Sequence, residues 1–162
     1  MDGIFRQGMR GYFVPLIAGL VLLASVFLPW VIVGDAAIAG WPDVEAMWVA
    51  GLGALAAVLA LLSLITRRNS RHPLLLIGLF SLGITFLSYQ IMPRAAGERA
   101  NTLTQAMAIV DEHPAGVAPT AAVGYGLYLG LAASAALVGF GLTIVVRRAS
   151  AVYVVSSPDD DV

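Results

Sequence analysis

Residues 46–66 read AMWVAGLGALAAVLALLSLIT, an unbroken run of apolar and small residues closed by Arg67 and Arg68. A helix rising 1.5 Å per residue needs about 20 such residues to cross a hydrocarbon core of roughly 30 Å, and this run supplies them. Working outward, three more stretches lack Asp, Glu, Lys, Arg and His: 12–33, 74–92 and 121–146. In hydrocarbon an unpaired amide costs several kcal/mol, so spanning segments are helices or closed barrels, and continuous apolar runs without two-residue alternation favour helices. Composition agrees. Of 162 residues 59% are hydrophobic and 12% charged, with a mean hydropathy of +0.87, against roughly 25% charge in a soluble domain. A water-soluble fold of this size could not hide so much apolar surface. The expected fold is an all-α integral membrane four-helix bundle, residues 1–149, followed by a cytoplasmic tail, 150–162.

Orientation follows from the arginines, which make up all nine basic residues. Arg6, Arg10, Arg67, Arg68, Arg71, Arg147 and Arg148 fall on one side, so that side and both termini are expected in the cytoplasm. The other side holds Asp35, Asp43, Glu45, Glu98, Asp111 and Glu112 against Arg94 and Arg99. Trp30, Trp41, Trp48, Tyr89 and Tyr125 suit the outer interface, and Tyr12 and Phe13 the inner one. The location expected is a bacterial inner (plasma) membrane. A cleaved signal peptide ending at Ala37-Ile38-Ala39 is the rival reading of the first span, but an apolar stretch of about 7 to 15 residues is usual there and this one is longer.

Helices in lipid associate through close backbone approach at small residues and through hydroxyls. The fourth span carries Gly126, Gly130 and Ser134 at every fourth position, the third carries Gly78, Ser81, Thr85 and Ser88 along one stripe, and the second offers Gly53 and Ala57. These stripes are expected to pack the bundle. The sharper alternative is a polar path along Ser81, Thr85, Ser88 and Gln90. A faint internal repeat joins the ends of the second and fourth spans, LSLITRR (62–68) and LTIVVRR (142–148), and Pro29 and Pro93 each end an outward-going helix.

Chemistry finds little to stand on. There is no cysteine in the chain and no Asp, Glu, Lys, Arg or His within the spans, which disfavours thiolate metal sites, coupled transport and proton relays. His72 and His113 lie at boundaries or in loops, so a transmembrane haem-ligating pair is not available, and the glycine-rich runs lack the lysine of a phosphate loop. A net charge of -1 gives no nucleic-acid footprint. No cofactor is expected. Asp111, Glu112 and His113, with Asp43 and Glu45, could hold a divalent cation, although a solvated acidic helix end is the commoner meaning of such a cluster. The loop 93–120 is too long to be structureless. Thr102 and Gln105 form a capping box, and Leu103, Met107 and Val110 recur at helical spacing until His113 and Pro114, so a short amphipathic helix is expected, able to lie on the membrane, cover the bundle or dock a partner. The run 152–155 has strand propensity, and Ile4, Phe5 and Met9 with Arg6 and Arg10 suggest a helix on the inner leaflet.

The Leu28-Pro29-Trp30-Val31 ending of the first span and the Gly124-x-Gly126-Leu127-Tyr128-Leu129 start of the last resemble those of small four-span bacterial membrane proteins. In topology, with tryptophans after the first span, the chain is also similar to claudin-like proteins, without the paired cysteines of their first loop. Neither resemblance implies catalytic residues. The expected function is a non-enzymatic accessory or assembly subunit of a larger membrane complex, of respiratory or lipid-import type, with membrane lipids and other integral membrane proteins as partners and no nucleic acid. The alternative is a small oligomeric channel or transport protein with a hydroxyl-lined path.

Overall fold

The computed structural model describes residues 10–66, 71–112 and 116–151. The chain is mostly helical. A single 3-10 turn, Arg10–Tyr12, leads into α1 (Phe13–Ser25); β1 (Pro29–Val33) and β2 (Ala36–Ala39) precede α2 (Val44–Thr66), and α3 (Arg71–Val110) is followed by β3 (Ala121–Val123) and α4 (Tyr125–Ala151). Three helices are long and apolar enough to cross a membrane: α2, α3 from His72, and α4 over Tyr125–Thr143. The fourth, α1, has 13 residues, about 20 Å of helix. The suggested N-terminal surface helix, the arginine pair 67–68, His113 with Pro114, and the strand-prone run 152–155 lie outside the described residues.

The first span thus departs from an all-helical 12–33. Its helix stops at Ser25 because the carbonyls that a helix end leaves unpaired find partners in the following chain. Ser25 Oγ donates to Leu22 O at 2.7 Å, and the Phe27 and Leu28 amides donate to Ala24 O and Ser25 O. The Trp41 amide closes on Val26 O at 2.9 Å. Beyond that point the β-branched Val31-Ile32-Val33 run is extended. Gly34 and Asp35 make a two-residue hairpin, with φ +57° at Gly34, a conformation glycine adopts without a Cβ penalty. β1 pairs antiparallel with β2 in the register Val31↔Ile38, Ile32↔Ala37, Val33↔Ala36, and with β3 as Val31↔Val123, Ile32↔Ala122, Val33↔Ala121. The order is β2-β1-β3. The fold is therefore not purely α, and residues 121–123, expected to open the last span, form an edge strand instead. Apolar residues satisfy a hydropathy window whether coiled or extended, which is why the boundary moves.

The register slips between Pro29 and Val31, leaving Trp30 as the extra residue of a bulge, a device that re-aims one side chain. Trp30 turns into the core and is 1% exposed, its Nε1 donating to Ser25 O at 2.9 Å.

A second correction concerns the loop helix. Rather than a separate element, it is the continuation of α3, which passes through Pro93 without a break for 40 residues, about 60 Å. The Thr102 hydroxyl donates to Glu98 O, one turn earlier, at 2.9 Å, so it sits inside the helix and caps nothing. The missing Pro93 amide costs one hydrogen bond, and the turn beyond it is held by packing: Ala96 lies against the core, and Gly97 beside Ala121 of β3.

Packing between helices runs through glycine. At Gly19 of α1 a Cβ would come within 2.7 Å of Ala57 N and 2.9 Å of Gly53 O, and at Gly53 within 2.8 Å of Leu23 N. Gly78 of α3 approaches Val138 N at 2.8 Å, and Gly141 of α4 meets Leu75. Gly126 abuts Pro29 O, Ser25 O and the Trp30 ring, while Gly130 faces Ser25 and Thr85. Leu22, Val26, Val49, Leu74, Leu127 and Leu137 fill the centre, all fully or almost fully buried. Around the bundle the sequence of neighbours is α1, α2, α3, α4, with α1 against α4 closing the ring.

Candidate functional site

The α2–α3 seam differs from the other three. No glycine lets these two backbones touch: Gly51 and Gly83, on the two helices, have nothing within 4 Å of a built Cβ. Towards the sheet-bearing end the helices part around a cleft of about 200 Å³, lined from α2 by Val44, Glu45 and Trp48 and from α3 by Ile84, Leu87, Ser88, Ile91 and Met92. It adjoins a shallower apolar groove of about 610 Å³ running along α2 over Met47, Gly51, Leu52 and Leu55, with Val44 and Trp48 shared.

Within the cleft wall Ser88 is 3% exposed, and its Oγ has no hydrogen-bond partner. Ser81, two turns away on the same stripe, is likewise buried and unpartnered. The other buried hydroxyls return to their own helices: Ser25 to Leu22 O, Ser63 to Leu59 O, Thr85 to Ser81 O and Ser134 to Gly130 O, each within 2.9 Å. Back-bonding of this kind satisfies an intrahelical serine, and a buried polar atom without it calls for an explanation.

The residues expected to pack the bundle fall in two groups. Gly53 and Ala57 lie in the α1–α2 seam; Gly78 lies between α3 and α4; Gly126, Gly130 and Thr85 meet at the junction of α1, α3 and α4, and Ser134 is buried on α4. Ser81 and Ser88 are buried too, with Ser88 in the cleft wall. Gln90 is exposed and does not share their face. Among the cleft's lining, Trp48, Ile84, Leu87, Ile91 and Met92 carry no mark in the sequence that separates them from residues facing outward. Only the coincidence of Val44, Trp48 and Leu52 at helical spacing with Ile84, Ser88 and Ile91 could have indicated them.

A second feature stands apart from the bundle. Past Ala100, the last two and a half turns of α3 leave Leu103 60%, Met107 63% and Val110 80% exposed, with Ile109 beside them. Glu112, with φ +52°, ends the helix in a left-handed turn. Among the described residues no group of three His, Cys, Asp or Glu comes together in a way that could hold a metal ion. The chain matches no protein-family profile, no curated protein and no solved structure.

Proposed function

We propose that this protein is a four-span bacterial inner-membrane protein with both termini in the cytoplasm, serving as a non-enzymatic accessory subunit of a larger membrane complex. Bilayer placement draws support from the outward face of the bundle: Ile17, Leu20, Leu55, Val58, Ile65, Leu76, Phe80, Phe86 and Leu87 are all about half exposed or more, far beyond the patches a soluble monomer shows. α1 completes its crossing with extended chain, since about 20 Å of helix and a five-residue strand at about 3.3 Å per residue together exceed 30 Å. Irregular backbone at membrane depth is tolerated where it is buried in protein, and β1 has both edges paired. The arginine distribution supports the orientation.

The accessory role rests on one observation, the projecting end of α3 with Leu103, Met107 and Val110 bare to solvent. An amphipathic helix offering apolar residues at i, i+4 and i+7 is a standard means of docking into a partner's groove. Gentle solubilisation of native membranes, with a photo-crosslinker at Met107, is expected to recover one stoichiometric partner, and Leu103→Ser with Val110→Ser to abolish the crosslink. A monodisperse monomer with no crosslinked product would overturn this reading. The oligomeric-pore alternative has weaker support, since Ser81, Thr85 and Ser88 are all at most 3% exposed within one copy and Thr85 is already bonded to its own helix. Flux through reconstituted vesicles that disappears in Ser81→Leu would restore it.

A further inference from the structure

We draw no further inference here: the strongest candidate, the outward face of α4, where Ala132, Ala135, Ala136 and Gly139 stand exposed in place of the bulky residues the other helices turn outward, is a stripe of small residues, and nothing in the structure shows what covers it.

Discussion

Two glycines on one helix, Gly51 and Gly53, offer a paired test of what closes the α1–α2 seam. Replacing either by alanine removes the same backbone freedom and gains the same helix propensity, about 1 kcal/mol. Their surroundings differ completely. A Cβ at Gly51 meets nothing within 4 Å, whereas at Gly53 it lies 2.8 Å from Leu23 N, 2.9 Å from Gly19 O and 3.2 Å from Leu23 Cα. All three are backbone atoms, so no rotamer change relieves the clash. To reach an ordinary contact of 3.4 Å the helices must move apart by about 0.6 Å. A gap of that size forfeits a quarter to a half of each contact's dispersion energy, and it would open around Leu22, Ala56 and Ala60, which are fully buried. Overpacking usually costs about 1–3 kcal/mol. Gly53→Ala is therefore expected to be less stable than Gly51→Ala by about 1–3 kcal/mol, with Gly51→Ala at or above the parent. The measurement is reversible unfolding in mixed micelles of mild detergent and dodecyl sulfate, followed by circular dichroism. Gly19→Ala combined with Gly53→Ala should cost less than the sum, because one parting of the helices makes room for both. The two single variants falling within about 0.5 kcal/mol of each other would refute the close approach of α1 and α2.

Other expectations follow from the sheet and the α3 projection. Gly34→Ala places a Cβ in a left-handed conformation, 3.2 Å from Pro119 Cβ, and should cost about 1–3 kcal/mol, with Gly34→Asn milder because asparagine tolerates that region better; equal stability of all three in the same unfolding assay would speak against the hairpin turn. Trp30→Phe removes the indole donor from Ser25 O and should cost about 1–3 kcal/mol, together with the loss of the most blue-shifted component of the tryptophan emission, whereas an unshifted spectrum would put Trp30 outside the core. Leu103→Asp and Met107→Asp should leave stability within about 0.5 kcal/mol and yet abolish partner crosslinking, so a large drop in unfolding midpoint would show that the projection packs on its own bundle.

The helical scaffold was legible because these stretches lack charge: α2 begins two residues ahead of the expected Ala46 and is helical through Thr66, the last described residue before Arg71. Gly126 and Gly130 share a face of α4 by their spacing, and both lie against Ser25 of α1. What hydropathy could not separate was helix from strand within an apolar run. Val31-Ile32-Val33-Gly34-Asp35 carries the missing signal, β-branched residues ahead of a glycine-led two-residue turn. Pro93 misleads in the opposite direction, because a proline ends a helix only where nothing beyond it holds the next turns in place, and Ala96 and Gly97 rest on the core and β3. The cleft was not legible at all. Unpartnered hydroxyls look like any other serine in a sequence, and only the missing partner of Ser88 distinguishes it from Ser134, which bonds to its own helix.

The strand pairing also bears on how the chain is made. β1 precedes β3 in the chain by the whole of α2 and α3, so the ribosome delivers one border of the central strand long before the segment that will cover it. Until then the unpaired amides and carbonyls of Val31 to Val33 remain open to any neighbouring extended chain. The α1–α2 hairpin can close early through Gly19 and Gly53, but Trp30 waits for Gly126 before its cavity is complete. A chain interrupted before residue 121 would thus present a packed hairpin with one border of its central strand uncovered.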